Sequence, residues 1–198
     1  MLTYRLYLYL LPGIISLLAC SSPVYKNPHI KIKTQYGTIE AELYPDKAPK
    51  SVAAFLRYVD SGYYRNTSFY RVLNDENQAT GVAHSQLIQG GLYGTNSELS
   101  GKLPPIPHET TQQTGLHHED GTLSLARREP GTAGTEFFIC VGLQPGYDYG
   151  GGNDPDGQGY AAFGKVVEGM DVVHKIHRLP CNGELFKPPV EIVSIKRL

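Results

Sequence analysis

Glycine and proline recur so often along this chain that no long helix has room to form between them. Twenty-two glycines and fourteen prolines are spread over 198 residues, well above ordinary usage, and many of the segments between them are short and rich in β-branched and aromatic residues. That pattern favours short strands joined by tight turns. With 40% hydrophobic and 19% charged residues the chain can bury a core and does not read as disordered. A formal net charge of −1 at pH 7, without any long run of Lys or Arg, argues against nucleic-acid binding.

Leu6 to Ala19 reads LYLYLLPGIISLLA, preceded by Arg5 and followed by Cys20, Ser21, Ser22 and Pro23. This stretch is shorter than the roughly 20 apolar residues of a membrane span, and Pro12 and Gly13 interrupt it. A short apolar core ending in small residues is the pattern of a secretory signal peptide, which assigns residues 1–19 to export. The junction Leu17-Leu18-Ala19-Cys20 resembles the lipobox of bacterial lipoproteins. That resemblance implies cleavage before Cys20, lipidation of its sulfur and acylation of the new amino group, with Ser21 pointing to outer-membrane sorting. The expected location is the bacterial cell envelope, lipid-anchored and facing the periplasm. Residues 20–28 then form a tether and residues 29–198 a single domain. Cys140 and Cys181 are left in a compartment where pairing is permitted, and the sequence leaves the disulfide open.

Within the domain, His29 to Thr34 and Thr38 to Leu43 alternate polar and apolar residues around Tyr36-Gly37, the pattern of a hairpin. Val52, Phe55, Leu56 and Val59 follow Pro49 at helical spacing, and Gly62 ends that helix. Strands are predicted at Thr67–Leu73, Ser85–Gln89, Thr122–Ala126, Glu136–Val141, Tyr160–Val167 and Val190–Ile195, with a second helix through Met170, Val173 and Ile176. The expected fold is mainly β, a closed eight-stranded antiparallel barrel capped by two helices. The long loops at 90–121 and 142–159 are expected to rim a site.

Five stretches then become recognisable in order: Phe69-Tyr70-Arg71-Val72, Gln86 to Gly91, Gly121 to Arg127, Glu136 to Ile139, and Gly159 to Val166. Together they resemble the cyclophilins, which are peptidyl-prolyl cis-trans isomerases. Ala48 to Val52 and Glu168 to Val173 are similar to the starts of that family's two helices. The resemblance implies catalysis by Arg71 and Gln89, a proline pocket built from Leu87, Phe138 and Tyr160, and a peptide track along the main chain of Ala126 and Arg127. It also implies proline-containing polypeptides as substrates, no cofactor and no metal, and a monomer.

The chemistry explains the residue types. Isomerising an X-Pro bond breaks amide resonance across a barrier of about 18–20 kcal/mol and requires no nucleophile. The twisted prolyl nitrogen becomes pyramidal and gains a lone pair, which a fixed cationic donor stabilises selectively. Alternation along Ser68–Leu73 leaves the facing of Arg71 ambiguous, and either Phe137 or Phe138, but not both, can face a pocket. Glu136, which the resemblance places among the substrate-binding residues, stands where many family members carry Gln; it either locks the guanidinium in an ion pair or is an exposed strand residue.

Gln86, Arg127 and Tyr160 depart from the commonest family residues. The chain has no tryptophan, so Gly146 or Tyr147 takes the position where the family often has one. His108-Glu109 and His117-His118-Glu119 supply zinc-type ligands but match no known ligand spacing, and read better as loop residues. No G-x-S-x-G elbow supports a serine hydrolase. The rival to catalysis is a non-catalytic proline-peptide-binding chaperone or envelope adaptor that keeps the groove.

Overall fold

The computed structural model describes residues 25–79 and 84–198. The expected signal peptide, with Cys20 and most of the expected tether, lies outside the described residues.

The predicted hairpin forms from β1 (His29–Thr34) and β2 (Gly37–Leu43), with Ile30 and Ile32 buried and Lys31 and Lys33 in solvent. Gly37 makes the turn at φ +141°, a conformation closed to residues with a Cβ. Helix α1 (Pro49–Asp60) follows, then β3 (Thr67–Leu73), β4 (Leu87–Gly91), the short helices α2 (Ser97–Lys102) and α3 (Thr111–Thr114), β5 (Thr122–Leu125), β6 (Phe137–Cys140) and β7 (Ala161–Glu168). Helix α4 (Met170–His177), a two-residue β8 (Cys181–Asn182) and the long β9 (Leu185–Arg197) complete the chain.

Strand order runs β1, β2, β7, β5, β6, β4, β3, β9, and β9 pairs back with β1. All pairings are antiparallel, so the eight long strands close into the expected barrel, and β8 is a short flap on β9. Closure leaves no long strand with an unpaired edge. The last strand begins at Leu185, five residues before the predicted Val190.

Inward residues of every strand make one core with a cluster of rings at its centre. Phe55 of α1 lies 5.4 Å from Phe137 and 4.9 Å from Phe163, centroid to centroid. Its full burial is worth about 2–3 kcal/mol. Helix α1 packs on β7 and β9, and α4 packs on β2 and β4 through Val173 and Ile176. The loop 90–121 is not structureless: Asn96 caps α2, and Thr110 with Gln113 forms a capping box on α3.

The same loop stabilises α1. Ala48 at the N-cap has no side-chain acceptor, and Pro49 occupies the first turn without an N–H. The vacant role falls to Glu109, whose carboxylate accepts from the backbone N–H of Lys50 (3.1 Å) and Ser51 (2.8 Å) and from the Ser51 hydroxyl (2.7 Å). A buried anion there also meets the positive end of the helix dipole. Glu109→Ala is expected to lower stability by about 2–3 kcal/mol, because it orphans buried donors. Glu109→Gln, which keeps an acceptor, should lose about half as much. Chemical denaturation of both variants checks the order.

Candidate active site

The barrel has a second apolar cluster on its outer face, made of Leu73, Leu87, Phe138, Cys140 and Tyr147, with Ala126 and Tyr160 packed against it. Strand alternation puts it there. Val72, Ile88, Phe137 and Ile139 point into the core, so their neighbours Leu73, Leu87, Phe138 and Cys140 point out. That settles which phenylalanine reaches the site: Phe138.

Arg71 reaches the same face through an irregularity. On β3 Phe69 pairs with Gly90 and Arg71 with Gln89, so Tyr70 is an extra residue, a β-bulge. Phe69 and Val72 both point inward, and the two residues between them are turned out together. The ambiguity in facing is resolved by this bulge, which no alternation pattern announces.

Arg71, Leu87, Gln89, Ala126, Arg127, Phe138 and Tyr160 line one cavity of about 380 Å³. The Arg71 guanidinium donates from Nη1 to Gln89 Oε1 at 2.9 Å and from Nε to Glu184 Oε2 at 2.8 Å. Two of its five N–H donors are thus engaged, and three have no protein partner among the described residues. Below it the rings of Phe138, Tyr147 and Tyr160 meet edge-on or tilted, with centroids 5.1–5.6 Å apart. Burial pushes the Tyr160 hydroxyl up to about 12 and raises that of Tyr147, so both rings stay neutral. Tyr147, not Gly146, occupies the rim, and its carbonyl accepts from the Tyr160 backbone N–H.

Phe138 is backed by His118, whose ring stacks on it at 6.0 Å. His118 Nδ1 bonds Asp148 at 2.7 Å and Nε2 bonds Ser124 Oγ at 2.9 Å. Burial lowers the His118 pKa and favours the neutral ring. His117 bonds the same Asp148, His108 bonds the Gln158 carbonyl, Glu109 caps α1, and Glu119 accepts from Lys165. Each potential zinc ligand of the loops is therefore engaged elsewhere, and among the described residues no group of three or more His, Cys, Asp or Glu could hold a metal ion. Cys140 and Cys181 are free thiols; burial raises the Cys140 pKa.

Two expectations are corrected. Glu136 neither pairs with Arg71 nor lies exposed. Its Oε1 accepts from the backbone N–H of Leu92 (2.9 Å) and Tyr93 (3.1 Å) and from the Thr135 hydroxyl (3.0 Å). Burial raises its pKa against those bonds, and it lines a neighbouring cavity of about 450 Å³ with Tyr70 and Tyr93. The carboxylate on Arg71 belongs instead to Glu184, at the β8–β9 turn. The dipeptide Asn182-Gly183 carried a turn signal for that hairpin, but nothing in the sequence placed it beside β3.

Arg127 contributes a side chain as well as main chain. Its side chain is only 1% exposed, donates to both carboxylate oxygens of Asp156 at 2.7 and 2.9 Å, and donates twice to the Gly159 carbonyl. Its guanidinium lies 4.9 Å from the Tyr160 ring centroid. Gln86, by contrast, turns away from the cavity to bond Asp75.

Residues 29–197 match the family described as Cyclophilin type peptidyl-prolyl cis-trans isomerase/CLD. A peptidyl-prolyl cis-trans isomerase of Acinetobacter baylyi is 36% identical over 185 residues, covering 90% of each chain. Peptidyl-prolyl cis-trans isomerase B of Escherichia coli is also 36% identical, over 74% of this chain and 82% of its own. A crystal structure of a cyclophilin-type isomerase of Cryptosporidium parvum superposes with TM-score 0.68 at 24% identity, over 87% of this chain and 98% of the other. The same parasite protein in the presence of the dipeptide Ala-Pro gives 0.66 at 25% identity, over 85% and 97%. With its closed barrel and this outer-face pocket, the chain belongs to the cyclophilin family and is a cyclophilin-type peptidyl-prolyl cis-trans isomerase.

Proposed function

We propose that Arg71 performs the isomerisation by donating to the prolyl nitrogen of a substrate whose proline ring sits on Leu87, Phe138 and Tyr160. The observation that carries this reading is a guanidinium fixed at two of its donors, with three more unengaged among the described residues, at the wall of a cavity that also exposes the apolar cluster of Leu87, Phe138 and Tyr160. In the ground state that nitrogen is planar and its lone pair is delocalised into the carbonyl. As the peptide bond twists the lone pair localises, and a donor already in place stabilises the twisted state more than either planar isomer. Gln89 holds the guanidinium, and its own reorganisation cost is met in advance by folding.

The substrate is an extended proline-containing polypeptide whose residues before proline lie along Ala126 and Arg127. Arg127 also fixes the pocket rim: the Asp156 carboxylate and the Gly159 carbonyl bind the loop that leads to Tyr160. A lysine cannot reproduce that planar, forked geometry.

For the N-terminal segment the reading is a lipoprotein anchored through Cys20, with the isomerase facing the periplasm from the outer membrane and accelerating slow X-Pro steps of exported proteins. It is supported by the apolar core Leu6–Ala19 and the junction at Cys20.

Arg71→Ala should reduce kcat/KM for a short X-Pro peptide by about 10²–10³, the usual loss on removing one transition-state donor, with the circular dichroism spectrum unchanged. A folded wild type without activity would move the protein to the binding-module reading. Arg127→Ala should lower kcat/KM about tenfold, mainly through KM, and Arg127→Lys should not restore it. Metabolic labelling with a palmitate analogue should mark the wild type and not Cys20→Ala; equal labelling of both removes the anchor.

A further inference from the structure

Glu184 holds one side of Arg71 and Gln89 the other, and the Gln89 arm runs on into the protein. The Gln89 amide accepts from Arg71 Nη1 with its oxygen at 2.9 Å, and its nitrogen donates to the Tyr70 hydroxyl at 2.6 Å. Having accepted, that hydroxyl still has its own proton to direct. Beside it, lining the same cavity of about 450 Å³, is the Glu136 carboxylate. Oε1 of Glu136 is occupied by Leu92, Tyr93 and Thr135, while Oε2 is buried without a hydrogen-bond partner. Hydroxyl and carboxylate thus share a cavity wall, and no hydrogen bond joins them in this conformation.

The ends of this series decide its middle. An amide and a hydroxyl can each turn around and exchange donor for acceptor, but a guanidinium only donates and a carboxylate only accepts. Only one direction suits the guanidinium: the Gln89 carbonyl accepts from Arg71, the Gln89 amide nitrogen donates to the Tyr70 hydroxyl, and that hydroxyl's own proton is left free to turn toward the Glu136 carboxylate on the same cavity wall. A flipped amide would set its NH2 group against the guanidinium. Two features of the fold serve the arrangement. The bulge turns Tyr70 out beside Arg71, and Gly91, at φ +149°, gives Glu136 room that a Cβ would fill.

We propose that Tyr70 and Glu136 are positioning residues for the isomerisation, fixing the Gln89 amide with its carbonyl toward Arg71 and so holding the guanidinium in place. This rests on the reading of Arg71 as the transition-state donor.

Tyr70→Phe removes the hydroxyl and keeps the ring, which packs 4.9 Å from Tyr93. With a short X-Pro peptide at neutral pH, kcat should fall about five- to tenfold while KM stays within about twofold and the thermal midpoint is unchanged. In a Gln89→Ala background the same substitution should add nothing, because Tyr70 acts through that amide. Glu136→Gln should lower kcat in the same direction and add nothing to Tyr70→Phe. The Gln89 side-chain amide in NMR gives a readout independent of turnover: Tyr70→Phe should speed exchange of its protons with water. A wild-type kcat in Tyr70→Phe, an undiminished loss in the Gln89→Ala background, or an unchanged Gln89 amide signal each overturns the proposal. Full activity in Arg71→Ala would instead overturn the donor mechanism, and the amide signal would still decide whether Tyr70 holds Gln89.

Discussion

Pairing of β1 with β9 closes the sheet, and closure divides every strand into an inner and an outer face. The inner face is used up by one core that runs through Phe55, Phe137 and Phe163. Apolar residues that alternation sends outward cannot join it. Leu73, Leu87, Phe138 and Cys140 are covered instead by the segment that carries Tyr147 and Tyr160. That cover is incomplete, and the gap is the cavity beside Arg71. The site is therefore a by-product of closure: an apolar surface on the rigid wall of a barrel, roofed by loops held with ion pairs rather than by a second sheet.

The polar half of the site follows a different logic. In the proposed mechanism a cation meets a lone pair present only in the transition state, and such a cation gains from being immobile beforehand, because a mobile guanidinium would spend part of its interaction on ordering itself. Here Arg71 is a half-buried strand residue gripped by Glu184 and Gln89. Surface ion pairs contribute little to stability on average, so the value of the Glu184 contact is geometric. Arg127 shows the same division of labour on the rim, where its contacts to the Asp156 carboxylate and the Gly159 carbonyl hold the loop against Tyr160.

Much of this was legible in the residues. Alternation at His29–Leu43 and the 3.6 period from Val52 to Val59 report burial of one face, which is a local property, and both elements form where the pattern puts them. Arg71, Gln89, Leu87 and Phe138 could be singled out because the motifs that carry them are contiguous. Glu184 could not, since 113 residues of chain separate it from Arg71. Tyr70 and Glu136 were visible as letters but not as neighbours.

The sequence by itself determined the fold class, the position of most strands and helices, and the family motifs, because turn chemistry and hydrophobic period act over a few residues. Tertiary structure alone decided the facing of Arg71, through a bulge that depends on how β3 registers against β4 and β9. It also decided that the Glu109 carboxylate caps a helix 58 residues earlier, and that Glu136 turns to the backbone of Leu92 and Tyr93 rather than to Arg71. Those choices are set by which groups the closed barrel brings within hydrogen-bonding distance, and no local pattern encodes that.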